Sequence, residues 1–224
     1  MTAAVGLYLR LDLPPPWHPA ATPTPLVIYG ASSAVGFYTL QFALRSNIHP
    51  LICIAGRAQD HVKPHLDASK GDTVIDYREG DEAVVKGIKD ALKGEKLWYA
   101  FDAVSEKGSY QNICQVLEPQ GGKITLVLPG KEYEGIPEGV ENSVTRVGCV
   151  HGEEADKDFG YVFFRLIARG LQEGWFRAQP QEVVPGGLGG VQQALENLKA
   201  GKASAVKYVF RIGETEGVKR EGSL

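Results

Sequence analysis

The sequence predicts an α/β protein built on a doubly wound parallel sheet. Three observations carry this reading. Short apolar runs recur without the alternation of a half-buried strand. A stretch with helical spacing separates each run from the next, and the first run enters a turn made only of Gly, Ala and Ser (residues 30–34). With 224 residues, 43% hydrophobic and 23% charged, the chain has an ordinary globular composition and room for one large domain with extensions. Twenty-four basic against 27 acidic residues leave a formal charge of −3, which offers no electrostatic footprint for nucleic acid. No apolar run approaches the roughly 20 residues of a membrane span, and the first residues lack a secretory pattern. No membrane partner is expected. Cys53, Cys114 and Cys149 are odd in number and sit in apolar runs, as buried thiols of a reducing, cytoplasmic compartment would.

Taken in order, residues 2–13 place Ala3, Ala4, Leu7 and Leu11 near helical spacing, and the six prolines from Pro14 to Pro25 end that helix. Residues 1–24 therefore read as a short helix and a Pro-rich linker. Strands are expected at 26–29, 51–55, 73–76, 97–101, 123–128 and 144–150, with helices at 35–45, 58–69, 82–93 and 107–117 between them, which makes 25–150 the sheet domain. After 150 the pattern changes to a helix at 159–171, a Gly-rich segment at 185–190, a helix at 191–198 and a strand at 205–212. This is a C-terminal helix and strand extension, 151–212, ahead of a loose polar tail, 213–224. Tyr161, Phe163, Phe164, Trp175 and Phe176 read as core, with the lining of an apolar pocket as the alternative.

The turn after the first strand is the principal candidate site. Gly30-Ala31-Ser32-Ser33-Ala34-Val35-Gly36 joins the strand to a helix, and small residues there let backbone amides approach a pyrophosphate at the positive end of the helix dipole. Gly36, which would otherwise weaken the first helical turn, suits close packing of helix on strand. The alternative is a tight βα turn with no ligand. Next, a dinucleotide site of this kind often places an acid about 20 residues further on to receive the ribose hydroxyls. Here that place holds Ala55-Gly56-Arg57. A guanidinium suits a 2′-phosphate, so NADPH is favoured over NADH, although Arg57 also reads as a solvated loop arginine. Tyr77, after the third strand, is placed to lie against adenine or phosphate, or is simply a strand-end aromatic.

Other chemistries find less support. His61 and His65 stand four apart, but Pro64 lies between them and no third ligand is near in sequence, so no metal is expected. None of the nine tyrosines has a lysine four residues on, and Tyr161 is followed there by Arg165. No G-x-S-x-G elbow is present, and Ser105 and Cys114 have no positioned histidine.

Gly30 to Gly36, Ala55-Gly56-Arg57, Gly71-Asp72-Thr73-Val74-Ile75-Asp76-Tyr77-Arg78, Phe101-Asp102-Ala103-Val104 and Gly121-Gly122-Lys123-Ile124 together resemble the cofactor half of medium-chain dehydrogenase/reductases. Gly186-Gly187-Leu188-Gly189-Gly190-Val191 and Leu198-Lys199-Ala200-Gly201-Lys202 continue the likeness, which is to the zinc-free quinone oxidoreductase and enoyl reductase branch. The resemblance implies a Rossmann-like dinucleotide-binding domain over 25–150. It implies that Ser32, Ser33, Ala34 and Val35 face the pyrophosphate, that Arg57 and Tyr77 flank the adenosine 2′-phosphate, and that Val104 and Leu128 approach the ribose and nicotinamide. It implies hydride transfer from NADPH to a small-molecule enone, quinone or enoyl-type substrate. Residues 2–7 resemble the helix leading out of the GroES-like domain that such proteins carry first, so most of that domain is expected to be missing from this chain. Two expectations follow: a non-catalytic NADPH-binding or regulatory module is the alternative function, and strand 205–212, without that domain, is expected to pair elsewhere, with homodimerisation through a sheet edge.

Overall fold

The computed structural model describes residues 1–152 and 154–218 and divides the chain into two compact units, Met1–Arg177 and Ala178–Leu224. The first unit is organised by a six-stranded, wholly parallel sheet in the order β3-β2-β1-β4-β5-β6. Its strands are β1 (Leu26–Tyr29), β2 (Leu51–Ala55), β3 (Thr73–Asp76), β4 (Tyr99–Asp102), β5 (Lys123–Leu126) and β6 (Glu141–Val144). The helices are α1 (Thr2–Ala4), which runs into a wider π-turn over Val5–Arg10, then α2 (Ala34–Arg45), α3 (Gln59–Val62), α4 (Asp81–Leu92), α5 (Ser109–Cys114) and α6 (Glu154–Glu173). This is the doubly wound α/β architecture that the continuous apolar strands predict.

The period of two along each strand separates two cores. Leu26 and Ile28 of β1 join Leu51, Cys53, Leu40, Phe42, Leu7, Leu11 and Phe101 on one face. Val27 and Tyr29 join Ile52, Ile54, Val84, Ile88, Ile113 and Leu126 on the other. Because β1 and β2 are buried on both faces, they have no polar side to display, and their sequences read as unbroken apolar runs. Phe163 of α6 is fully buried, stacks on Tyr8 at 5.0 Å between ring centroids and meets Phe42 edge-on at 5.9 Å. This helix therefore belongs to the first unit, past the change of pattern at Val150. Of the aromatic group expected in the core, Phe163 and Phe176 are buried, whereas Tyr161 and Phe164 are exposed.

Several expected elements differ. The helix at 58–69 is broken into α3, a 3-10 turn at Lys63–His65 and another at Ala68–Lys70, because Pro64 has no N–H to continue the ladder. The strand at 144–150 is instead β6 at Glu141–Val144 followed by a 3-10 turn at Val147–His151. It is an edge strand whose residues are half-buried or exposed, so burial leaves no mark on its sequence. The helix at 107–117 shortens to Ser109–Cys114, since Lys107 and Gly108 adopt positive φ.

In the second unit β7 (Gln181–Val183) and β8 (Lys207–Val209) pair in parallel, with α7 (Val191–Lys199) between them in sequence. The strand expected at 205–212 is thus three residues long and paired with β7, a strand the sequence does not announce. Of the expected polar tail, residues 219–224 lie outside the described residues.

Truncating a fully buried aromatic costs about 3–5 kcal/mol. Phe163→Ala is expected to lower unfolding stability by that amount in urea denaturation, and an unchanged midpoint would exclude α6 from the first unit's core.

Candidate functional site

The strand order reverses between β1 and β4, where an open parallel sheet leaves a crevice at the carboxyl ends of its strands. The chain leaves β1 through Gly30 at φ +76°, and the N–H groups of Gly30 and Ala31 both donate to the Ile54 carbonyl at 3.0 Å. Ser33 caps α2 in two ways: its N–H donates to the Gly30 carbonyl at 2.8 Å, and its Oγ accepts from the Gly36 N–H at 3.1 Å. A Cβ on Gly36 would collide with the Gly30 carbonyl oxygen, and one on Gly30 would lie 2.6 Å from Val104 Cγ2. The close approach expected of Gly36 is therefore present. Ala34 and Val35, the first two residues of the helix, keep N–H groups that no protein acceptor takes among the described residues. They end a twelve-residue helix whose dipole places partial positive charge there. Ser32, half-buried, occupies the outer side of the same turn.

Beside this turn, the ends of β2 and β3 form a second wall. A Cβ on Gly56 would lie 2.6 Å from Tyr77 Cε1, so the half-exposed Tyr77 ring lies against the bare Gly56 backbone. Arg57 follows directly and is exposed. Asp76, the last residue of β3, holds this corner: its carboxylate accepts from the Arg78 N–H at 2.9 Å, from the Arg78 guanidinium at 2.5 to 3.1 Å, and from Gln59 Nε2 at 2.8 Å. The Arg78 side chain is the main cause that lowers the Asp76 carboxyl to about 2.

The loops after β4 and β5 form the third wall. Asp102 ends β4 fully buried and accepts from Ser109 Oγ at 2.5 Å, Ser105 N–H at 2.8 Å and Val104 N–H at 2.9 Å. Burial raises its pKa, and these donors oppose the rise. Leu128 lies in the loop after β5, partly exposed, and its carbonyl accepts from the Tyr133 hydroxyl at 2.8 Å. Between the three walls lies a pocket of about 230 Å³ lined by Tyr29, Tyr77, Val104, Glu106 and Lys107.

Gly30, Ser32, Ser33, Ala34, Val35, Gly36, Arg57, Tyr77, Val104 and Leu128 thus all stand at the carboxyl ends of β1 to β5. Tyr77 and Val104 share the pocket; Arg57 and Leu128 are not among its lining residues. Tyr29, Glu106 and Lys107 are further lining residues that sequence reasoning missed. Tyr29 reads only as the last apolar residue of a strand, and Lys107 takes φ +54° without a glycine to signal it. His61 and His65 flank the Phe37 ring at 4.2 and 5.1 Å, and the described residues contain no group of three or more side chains able to hold a metal ion.

No protein-family model matches the sequence. A trans-enoyl reductase of Gibberella fujikuroi, fsr4, is 59% identical over 187 residues, covering 83% of this chain and 55% of the relative. The trans-enoyl reductase himH of Aspergillus japonicus is 32% identical over 221 residues, covering 96% and 60%. The chain thus spans little more than half the length of these curated relatives. Among solved structures, the CurK enoyl reductase superposes with a TM-score of 0.68 at 17% identity, over 93% of this chain and 59% of the other. Escherichia coli quinone oxidoreductase complexed with NADPH gives 0.65 at 18% identity, over 91% and 60%. At that identity these structures support the fold alone. Among the described residues, no helix is long and apolar enough to cross a membrane.

The depressed Asp76 carboxyl gives a pH test. A carboxylate held below its unfolded value stabilises its contacts above about pH 4 and loses them as pH falls through the folded value. Carbon-detected titration of the Asp76 carboxyl is expected to show a midpoint of about 2, moving up toward the ordinary range in Arg78→Ala. An ordinary midpoint in the unmodified protein would dismiss the tie that holds Tyr77.

Proposed function

The chain belongs to the medium-chain dehydrogenase/reductase superfamily, on its quinone oxidoreductase and enoyl reductase branch, and from that premise we propose that it is the NADPH-binding portion of an oxidoreductase. The substrate class is an enone, a quinone or an enoyl-type compound. The observation that carries this reading is the junction of an amide-bearing helix start with a 230 Å³ pocket at the reversal of strand order.

The residues present fit a dinucleotide. Gly30 and Gly36 give a turn in which a Cβ has no room, so the backbone itself faces the ligand. The Ala34 and Val35 N–H groups suit a pyrophosphate at the helix start. Tyr29 and Tyr77 offer aromatic surface for the adenosine half, with Val104 closing the pocket from β4. No acid follows Gly56 at the end of β2, where a ribose 2′-hydroxyl would need an acceptor, and Arg57 supplies instead the planar donor set that a 2′-phosphate accepts. The one nearby carboxylate at this corner, Asp76, is engaged by Arg78 and Gln59.

When bound, the nicotinamide supplies the hydride, so the protein is asked for orientation and exclusion of water rather than for a nucleophile. The structure has side chains suited to that task. Val104 and Leu128 present apolar surface at the ends of the β4 and β5 loops, and Ser105 and Ser109 are occupied in holding those loops rather than aimed outward. Relatives named as trans-enoyl reductases favour an α,β-unsaturated acceptor within the proposed class.

Isothermal titration is expected to show NADPH binding at least about tenfold tighter than NADH, the scale of a charged hydrogen-bonded contact. Arg57→Ala is expected to remove most of that preference while retaining NADH affinity. Absence of NADPH binding at near-millimolar concentration would overturn the reading, and an unchanged preference in Arg57→Ala would dismiss the role of Arg57. Steady-state oxidation of NADPH with a panel of enones and quinones tests turnover; binding without turnover would leave a cofactor module and remove the reductase assignment.

A further inference from the structure

Ser105 is the most heavily bonded residue of the two loops that border the pocket, and neither the turn after β1 nor the pocket itself uses it. It is fully buried and adopts φ +61°, a conformation that glycine takes freely and serine does not. Its side chain and backbone account for the choice. Ser105 N–H donates to Asp102 Oδ1 at 2.8 Å, and Ser105 Oγ donates to the Asp102 carbonyl at 3.0 Å, which anchors it to its own strand end. The same Oγ accepts from the Val127 N–H at 2.8 Å, and the Ser105 carbonyl accepts from Lys131 Nζ at 2.9 Å, which reaches the loop after β5. Lys131 is itself held with its ammonium 5.5 Å from the centres of both the Tyr110 and Tyr133 rings. Tyr133 in turn donates to the Leu128 carbonyl. One serine thus joins the segment carrying Val104 to the segment carrying Leu128.

We propose that Ser105 is a positioning residue: through the Val127 amide and the Lys131 ammonium it fixes the spacing between Val104 and Leu128 that receives the nicotinamide half of the cofactor. This rests on the proposed NADPH site. Its physical content is a separation of roles within that site. The turn after β1 and the Gly56–Tyr77 corner are built without Ser105, so the adenosine half keeps its contacts when Ser105 is altered. The nicotinamide half lies over two loops whose relative placement depends on it, and loss of the bridge leaves that half with two movable walls. A glycine at this position would satisfy the backbone and lose the bridge, which separates conformational strain from the side-chain role.

The test compares NADPH with 2′,5′-ADP, which carries the adenosine 2′-phosphate and lacks the nicotinamide. Both are titrated into the full chain, Ser105→Gly, Ser105→Ala, Lys131→Met and Lys131→Arg. The expected result is that Ser105→Gly weakens NADPH by about fivefold or more, the scale of one hydrogen bond, and leaves 2′,5′-ADP within about twofold. Lys131→Met, at an exposed side chain that does not endanger folding, is expected to weaken NADPH in the same direction, and Lys131→Arg to restore it. Equal weakening of both ligands would show a general structural role and overturn the assignment, as would unchanged NADPH affinity in both Ser105→Gly and Lys131→Met. If the unmodified chain binds 2′,5′-ADP and NADPH alike, the nicotinamide is not engaged and the role of Ser105 falls while the adenosine site stands. Failure of both ligands to bind would instead overturn the cofactor reading on which it rests.

Discussion

The structure depends on how closely α2 can leave β1. At Gly36 any side chain would collide with the Gly30 carbonyl oxygen, so the helix axis lies nearer the strand than any other residue would allow. That approach places Phe37, Leu40 and Phe42 under β1 and β2 and points the start of the helix into the crevice at the strand ends. The same turn needs φ +76° at Gly30 to redirect the chain, and the absence of a Cβ there lets Val104 from β4 come alongside. Packing and site share one cause: the glycines that let the core close also bare the backbone that a phosphate group can approach.

What the sequence makes legible follows from this burial. The strands at 26–29, 51–55 and 73–76 are found at those residues because the two innermost are enclosed on both faces and the third ends at a tight turn held by Asp76. Toward the edges the signal fades. β6 is Glu-Asn-Ser-Val, and β7 and β8 are three residues each with exposed or half-buried side chains, so neither apolar content nor period distinguishes them from loops. The broken helix after β2 was legible in principle from Pro64; the helical spacing of its neighbours concealed it.

The candidate site divides in the same way. Gly30 to Gly36 and the Gly56–Arg57 turn announce themselves because glycine at those positions has a steric cause. Glu106 and Lys107 do not, because the loop after β4 obtains its left-handed residues from Ser105 and Lys107 rather than from glycine alone. Such residues rarely take positive φ, and hydrogen bonds that span long sequence separations offset the strain. Ser105 to Val127 and Lys131 to Ser105 are contacts of that kind. A local reading of sequence sees neither partner from the other.

A further regularity concerns the aspartates at the strand ends. Asp72 is buried just before β3 and accepts from His49 Nδ1 at 2.8 Å, Leu51 N–H at 2.8 Å and Asp67 N–H at 3.0 Å. Asp76 closes the other end of β3, and Asp102 closes β4, each accepting from backbone N–H groups of the residues that follow. All three carboxylates are consumed in fixing loops. Acid–base catalysis needs a group free to exchange a proton near the working pH, and a carboxylate such as Asp76, lowered to about 2 by a guanidinium, is not one. A protein that spends its strand-end acids on geometry is suited to chemistry in which a bound group supplies the reacting electrons and the chain supplies position. The acids that the site does without as catalysts are the ones that hold its walls in place.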